Sequence, residues 1–330
     1  AFILLYNAFK YVDKHFIVVS QIMGDSPIKT FYITSVRPMM GTIAASFILS
    51  FFLSFTDFGI PASIGGQYTV VATQLYMVMM GAVPDFQSGS AIAVIMLIPS
   101  IVALGLLRVS ERFNFRYNKI STFSLPQDRL RDALFAVLYI LVIAAILSIF
   151  AIMFIVPFIK SWPYQITFTT ETLQRILNDH SIRTVYIHSV LVAGATACIG
   201  TVLAYAAALV NTRSQLPGIC KTLMDAGAMI TNTVPGMVLG VAFLFAFTGT
   251  PIQNTFIIII LLNSVREFTT PYLMIQASLS KLNASWEMTG ALMGDSWIKT
   301  IFRVIIPNTM STVFQMFSYI FVQALVTISA

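Results

Sequence analysis

The chain has 330 residues, of which 57% are hydrophobic and only 10% are charged, and its formal net charge is +6. Ordinary soluble domains carry roughly 25% charged residues, so this composition excludes that class. A segment of about 20 apolar residues can cross a bilayer, and its backbone groups must be paired within the segment. The sequence therefore predicts an all-α fold, a polytopic bundle of transmembrane helices.

Several stretches are long and apolar enough to be membrane spans. In chain order they are residues 39–56, 86–107, 133–159, 184–212, 226–248, 254–276 and 305–330. The apolar run Gln67 to Val83 is interrupted by two glutamines, and we expect it to form a packed or interfacial helix instead. The run from Ala1 to Phe9 is too short to span, and the chain ends inside another apolar run. We therefore expect a window from a longer protein.

Charge in the polar segments predicts the orientation, because cytoplasmic loops are rich in lysine and arginine. Segments 10–37 and 108–132 are basic, whereas segment 57–88 contains two aspartates and no basic residue. The basic segments are therefore predicted to face the cytoplasm, and alternation places residues 277–303 on the same side. This asymmetry accounts for the net charge, so the basic residues do not indicate binding to nucleic acid.

One octapeptide occurs twice in the chain. Residues Met23–Thr30 read MGDSPIKT and residues Met293–Thr300 read MGDSWIKT, so seven of eight positions match at an offset of 270 residues. An offset this large indicates duplication of a whole membrane unit, not a short structural repeat. We predict a first unit at 1–120, a cytoplasmic linker at 121–132 and a second unit at 133–330.

Each copy has the pattern of two short helices joined by a tight turn, over about 10–38 and 280–303. Gly24 and Gly294 are predicted to end the first helix in a turn of positive φ, which other residues resist. The Asp-Ser pair that follows in each copy is predicted to cap the second helix. These capping residues are Asp25, Ser26, Asp295 and Ser296.

The second copy resembles a motif of the membrane permeases of type I ATP-binding-cassette (ABC) importers. The motif is acidic-Ala-Ala-x-x-x-Gly followed by Ile/Val-x-x-Pro, and it is similar to Glu287–Gly294 with Ile306-Pro307. Val18–Gly24 with Val36–Pro38 resembles a degraded first copy. The resemblance implies a MetI-like helical bundle in which each segment is a coupling helix that docks into an ATPase subunit.

Two such motifs in one chain resemble the fused permeases in which both halves are joined, chiefly those of iron(III) uptake. Further matches to this branch lie at Thr56–Pro61, Gly65–Tyr68, Ala72–Tyr76 and Leu325–Ala330. The resemblance implies a bacterial inner membrane protein that passes ferric iron, delivered by an external solute-binding protein. It also implies a partner ATPase in two copies, which holds ATP and Mg²⁺. Thiamine, polyamine and phosphonate permeases share the architecture and remain alternatives.

The two copies depart from the motif in different ways. Met288, Thr289 and Gly290 stand where the family has Glu-Ala-Ala, with Glu287 just before them, and the first copy has no acid there. We therefore expect unequal coupling, with the second copy the stronger. The predicted coupling residues are Gly24, Asp25, Ser26, Glu287, Met288, Gly290, Gly294, Asp295 and Ser296.

Charged or helix-breaking residues inside spans are candidates for a pathway or a helix interface. These are Arg266 and Glu267 near the middle of one predicted span, Pro235 and Gly236 at a predicted kink, and Asp57 at an outer end. An ion-coupled secondary transporter would need such groups and is the alternative class. The sequence has no Gly-x-x-x-x-Gly-Lys-Ser/Thr loop. We predict no catalytic residue, no metal site and no cofactor on this chain.

Overall fold

A computed structural model describes residues 2–10, 15–81, 84–111, 129–214, 216–231, 234–283 and 285–327. The described parts are predominantly helical, and the predicted class, a polytopic α-helical membrane fold, is confirmed. Most of the predicted linker, up to residue 128, lies outside the described residues. The last four linker residues, Arg129–Asp132, form the first turn of a helix.

The first part of the chain contains one long pair of helices and several short ones. They are α1 (Phe2–Lys10), α2 (His15–Ile22), α3 (Pro27–Phe31), α4 (Met40–Thr56), α5 (Gly59–Ile64), α6 (Val71–Met80) and α7 (Phe86–Glu111). A π-helical turn, Tyr32–Val36, and a 3₁₀ turn, Arg37–Met39, join α3 to α4. Helix α7 packs along both α4 and α6. A Cβ at Gly89 of α7 would clash with the Met79 side chain of α6.

A small hairpin interrupts the helices in the middle of the chain, and the sequence did not predict it. Helix α8 (Arg129–Ile155) leads through a 3₁₀ turn, Val156–Phe158, into β1 (Ile159–Ser161), which pairs antiparallel with β2 (Gln165–Phe168). The hairpin is followed by α9 (Glu171–Asn178), which contacts the 3₁₀ turn and has no fully buried residue.

The remaining helices include a second short pair before the last span. They are α10 (His180–Arg213), α11 (Gly218–Ile230), α12 (Gly236–Phe247), α13 (Phe256–Arg266), α14 (Thr269–Leu279), α15 (Ser285–Leu292), α16 (Trp297–Thr300) and α17 (Ile306–Val326). A second π-helical turn, Ile301–Ile305, joins α16 to α17. Within the described residues, five helical stretches are long and apolar enough to cross a membrane, or six if the bent pair α13–α14 is one span.

Two predicted spans are divided. The stretch 226–248 was predicted to be one kinked helix, but α11 ends at Ile230 and α12 begins at Gly236 after Pro235. Proline has no N–H and disfavours helical geometry in the residue before it. A helix therefore ends before Pro235 instead of continuing through a kink. The stretch 254–276 likewise forms α13 and α14, bent by 52°. Pro271 would clash with the carbonyl group of residue 267 in a continuous helix.

The chain forms two compact units. One contains α4 to α7 and the chain from Val190 onward, and the other contains α2, α3, α8, the hairpin and α9. The larger unit has two apolar clusters. The first cluster joins α10, α11, α14 and α17 and includes Ala204, Ala228, Tyr272, Ile275, Ile305 and Met316. The second joins α6, α7 and α12 and includes Leu75, Met79, Met96, Val238 and Val241.

Helix α10 packs closely because small residues recur along one side of it. The buried members are Ala193, Ala197, Gly200, Ala204 and Ala208. A Cβ at Gly200 would lie 3.1 Å from the Cδ1 atom of Ile320 on α17. Small residues allow such close approach of helices within a membrane. Gly200 therefore leaves room for the Ile320 side chain of α17 against α10.

Candidate functional site

The two copies of the repeated segment have the same backbone turn. Gly24 follows α2 with φ of 77°, and Gly294 follows α15 with φ of 78°. Nothing lies within 4 Å of a Cβ built on either residue. Glycine is therefore required at both positions by the backbone angle and not by crowding, as the sequence predicted.

The serine after each turn caps the helix that follows. The Ser26 hydroxyl accepts from the Lys29 backbone N–H at 3.4 Å, and the Ser296 hydroxyl accepts from the Lys299 N–H at 3.3 Å. Both serines have extended backbone angles, as expected of residues at the start of a helix. The predicted capping geometry is present in both copies.

An ion pair closes each copy across one helical turn. Asp25 lies 2.6 Å from the Lys29 ammonium group, and Asp295 pairs with Lys299 in the same way. The Lys29 ammonium, together with the Ser20 hydroxyl, holds the pKa of the Asp25 carboxyl below its ordinary value. The aspartates predicted as helix caps are therefore also fixed by these lysines.

The interiors of the copies differ at one matched position. In the first copy, the Ser20 hydroxyl donates to Asp25 Oδ2 at 2.8 Å and lies 3.0 Å from the Thr30 hydroxyl. The matched residue in the second copy is Gly290, where a Cβ would clash with the buried Thr300 side chain. The same backbone is thus held by hydrogen bonds in one copy and by close packing in the other.

Large apolar side chains are exposed at matched positions around each turn. Ile22 and Leu292 are 80% and 84% exposed, and Met23 and Met293 are 76% and 77% exposed. Ile28 and Ile298, also matched, are exposed as well. Exposed apolar groups clustered on a rigid turn are typical of a surface that binds another protein. We call this set of six residues the apolar tips.

Glu287 is held inside the chain by Arg213, at the end of α10. The Arg213 Nη1 atom lies 3.2 Å from Glu287 Oε1, and the two side chains are only 6% and 18% exposed. The Nη2 atom of Arg213 donates to the Leu279 carbonyl oxygen at 2.6 Å and to that of Leu282 at 2.8 Å. One guanidinium group therefore joins the end of α10, the end of α14 and the start of α15.

This ion pair changes the role predicted for Glu287. The sequence suggested a displaced acid facing a partner ATPase, but in the structure the carboxylate is paired within the chain. Met288, beside it, is 70% exposed and is one of the predicted coupling residues that does face solvent. The residue of the first copy that matches Glu287 is Ile17, which cannot form such a pair. The two copies therefore differ in this internal ion pair, and unequal coupling stays a prediction.

A second polar cluster lies beside Arg213, and the sequence analysis missed it. Asp225 Oδ1 accepts hydrogen bonds from Asn211 at 2.7 Å, from the Tyr272 hydroxyl at 2.7 Å and from Gln276 at 2.9 Å. These residues come from α10, α11 and α14. One feature of the sequence could have indicated this cluster: Asp225 is the one acidic residue between Asp179 and Glu267. Such an isolated acid in an apolar region needs partners.

The predicted pathway residues lie in two places. Arg266 and Glu267 occupy the break between α13 and α14, with the Arg266 Nε atom 3.5 Å from Glu267 Oε1. Pro235 is buried at the start of α12, and Gly236 is the first residue of that helix. A largely apolar cavity of about 850 Å³ opens between α6, α12 and α13. Its lining includes Phe58, Tyr76, Met79, Met237 and Phe256.

Comparisons with known proteins show what the chain is similar to. Residues 1–116 match the family described as the inner membrane component of binding-protein-dependent transport systems. A putative ferric transport system permease protein of Haemophilus influenzae is 27% identical over 346 residues, which cover 100% of this chain and 53% of that protein. The ferric transport system permease protein of Actinobacillus pleuropneumoniae is 25% identical over 345 residues, covering 100% and 49%. The chain is therefore similar to these transport permeases.

The resemblance to type I ABC importer permeases is thereby confirmed. The permease spans about half the length of the ferric relatives it matches. A homologue of a spermidine/putrescine transport system permease from Mycoplasma pneumoniae is 26% identical over 125 residues, covering 36% of this chain and 41% of that protein. The similarity to the ferric permeases thus extends along the whole chain, whereas the similarity to the polyamine permease covers about a third of it.

The matched glycines allow a direct comparison of the two copies. Changing Gly24 or Gly294 to alanine is expected to cost about 1–2 kcal/mol in each case, because both residues have the same positive φ in open space. We expect Gly294→Ala to lower solute uptake per ATP hydrolysed more than Gly24→Ala, since only the second copy is joined to α10 through Glu287 and Arg213. Uptake and hydrolysis measured together in proteoliposomes test this, and an equal loss at both glycines would contradict it.

Proposed function

We propose that the permease is the membrane-spanning part of an ABC importer for ferric iron. An external solute-binding protein delivers the iron, and ATP is hydrolysed on two copies of a separate ATPase subunit. The observation that carries the proposal is the repeated segment, whose two copies share their turn, serine cap and ion pair at an offset of 270 residues. A chain that meets two identical motor subunits needs two such segments.

The apolar tips are the proposed contact with the ATPase. Each copy exposes three large apolar side chains on a turn that is fixed by a glycine, a capped helix and an ion pair. A rigid apolar surface loses little conformational entropy when it binds, which suits an element that must transmit force. Both copies are proposed to lie on the cytoplasmic side, in agreement with the basic residues of segments 10–37 and 108–132.

Ferric iron is favoured as the solute because both ferric relatives align with the whole chain. The polyamine permeases, which match shorter parts, support a second candidate solute. Thiamine and phosphonate are supported only by the shared architecture. An ion-coupled secondary transporter is the remaining alternative, and it would use Arg266 and Glu267 to couple an ion gradient.

The test is uptake by the full-length permease reconstituted in liposomes with its ATPase and its binding protein. We expect ferric iron to accumulate only when ATP is present inside, and an ionophore that removes ion gradients should have no effect. Spermidine, thiamine and a phosphonate serve as competing solutes. Uptake that stops with the ionophore but continues without ATP would contradict the ABC mechanism, and uptake of spermidine instead of iron would contradict the choice of solute.

A further inference from the structure

A polar pocket lies where the first and second predicted halves of the permease meet. It has a volume of about 470 Å³, and it lies between the α4–α5 connection, α5, the end of α13 and the end of α17. Its polar lining residues are Asp57, Ser63, Arg266, Gln323 and Thr327. Phe58 lines this pocket and also the larger apolar cavity. The pocket is therefore next to the apolar cavity between α6, α12 and α13.

Arg266 reaches this pocket because α13 ends there. In an unbroken helix, residues 266 and 267 would be interior helical residues. The 52° bend between α13 and α14 instead makes Arg266 the last residue of α13. Glu267 has partners of its own, since its Oε2 atom accepts from the Tyr319 hydroxyl at 3.2 Å. The Arg266 Nη1 atom, by contrast, is buried and has no hydrogen-bond partner among the residues that the structure describes.

The pocket contains one acidic and one basic side chain that do not pair with each other. The ion pair of Arg266 is a long one, 3.5 Å to Glu267, and no bridge joins Arg266 to Asp57 within the described part of the chain. Gln323 likewise has no side-chain hydrogen bond to another described residue. The Arg266 side chain lines the pocket and is 25% exposed, so its accessible N–H groups can donate to an acceptor that a ligand supplies.

The chemistry of these side chains limits what fits. A guanidinium group presents parallel N–H donors that match the oxygens of a carboxylate or a phosphate. A free carboxylate such as that of Asp57 favours a hard cation, which prefers oxygen ligands. A bare trivalent cation would be repelled by Arg266, and a bare anion would be repelled by Asp57. A cation that carries an oxyanion satisfies both groups.

We propose that this pocket receives the transported cation together with an oxyanion bound to it, a carboxylate or a phosphate, with Arg266 holding the oxyanion and Asp57 facing the cation. The identity of the cation as ferric iron rests on the proposed function. The subsite itself rests on the guanidinium group, whose ion pair with Glu267 is long, on the Asp57 carboxylate, and on the pocket that both residues line. The side-chain amide of Gln323, which also lines the pocket, supplies a further donor.

The oxyanion part is tested by titrating citrate, and separately inorganic phosphate, into the purified full-length permease in lipid nanodiscs and measuring binding by calorimetry. We expect at least one of the two anions to bind, and Arg266→Gln to weaken that binding by about 10- to 100-fold, the value of a charged hydrogen bond. Arg266→Lys keeps the charge but loses the paired donors. Its affinity for the anion should therefore lie between that of the unchanged protein and that of Arg266→Gln. Arg183→Gln removes an exposed arginine from α10 and should bind as the unchanged protein does.

The cation part is tested by repeating the citrate titration with ferric citrate. Ferric iron should strengthen binding to the unchanged protein, and Asp57→Asn should remove that gain while leaving binding of citrate alone intact. The proposal is overturned if neither anion binds, if Arg266→Gln binds them as Arg183→Gln does, or if the ferric gain survives in Asp57→Asn. Thermal unfolding of each variant checks that it is folded. ATP-driven iron uptake that persists while Arg266→Gln binds anions normally would overturn the subsite and leave the proposed function standing.

Discussion

Replacing Arg213 with methionine is expected to lower the free energy of unfolding by roughly 3–5 kcal/mol, because it leaves the buried Glu287 carboxylate without its partner. The change also removes the donor to the carbonyl oxygens of Leu279 and Leu282 at the end of α14. The second copy of the repeated segment then loses its connection to α10. We therefore also expect uptake per ATP to fall, even in protein that remains folded.

Denaturant titration of the full-length permease measures the first effect, and uptake with hydrolysis in proteoliposomes measures the second. Lys281→Met is the matched control, because it removes an exposed positive charge from the same connection, and it should change stability by less than about 0.5 kcal/mol. Changing both Arg213 and Glu287 to methionine should recover part of the loss, since no buried charge is left unpaired. A double variant that is less stable than Arg213→Met would argue against the ion pair.

Replacing Asp225 with alanine is expected to cost roughly 3 kcal/mol or more. The change leaves the side-chain donors of Asn211, Tyr272 and Gln276 without their shared acceptor, and each buried unsatisfied group costs about 1–3 kcal/mol. Because these residues belong to three helices, we expect α11 to separate from α10 and α14 before the rest of the bundle unfolds. Denaturant titration and hydrogen exchange in α11 measure the two effects.

Two further variants serve as controls for Asp225→Ala. Asp225→Asn keeps an acceptor oxygen at the same place and should lose less than Asp225→Ala. Asp132→Ala removes an acid from the exposed start of α8 and should stay within about 0.5 kcal/mol of the unchanged protein. If Asp225→Ala behaves like Asp132→Ala, the cluster does not hold the three helices together. A double-mutant cycle with Tyr272→Phe should give a coupling energy of about 0.5–3 kcal/mol.

Local geometry was the part of the site that the sequence predicted well. The positive φ of Gly24 and Gly294 and the caps at Ser26 and Ser296 are present as expected. Each depends on a few neighbouring residues, whose chemistry decides the backbone conformation without help from distant parts of the chain. A motif of eight residues is therefore sufficient to predict this turn twice.

Helix continuity was predicted less well. A run such as Phe256–Gln276 is apolar enough to be one span. Composition alone does not show where the backbone hydrogen bonds of the helix are interrupted. The break at Arg266 and Glu267 depends on Pro271, four residues after Glu267, and the break before α12 depends on Pro235. Pro235 was interpreted as a kink, but it separates two helices.

Pairings between distant helices could not be predicted from one sequence. Arg213 and Glu287 are 74 residues apart, and Asp225 lies 47 and 51 residues from Tyr272 and Gln276. No local pattern indicates such contacts, because they exist only after α10, α11 and α14 have packed together. The exposed or buried state of Glu287 follows from that packing. The position of Glu287 in the sequence therefore could not predict its ion pair with Arg213.

The π-helical turns Tyr32–Val36 and Ile301–Ile305 follow the two copies at corresponding places. A π turn holds about one residue more than an α turn, so the helix after it is rotated by about 100° relative to an unbroken α-helix. The side of the short helix that faces solvent is therefore not continuous with the side of the span that faces its neighbours. Substitutions on one of these sides could therefore accumulate without altering the other.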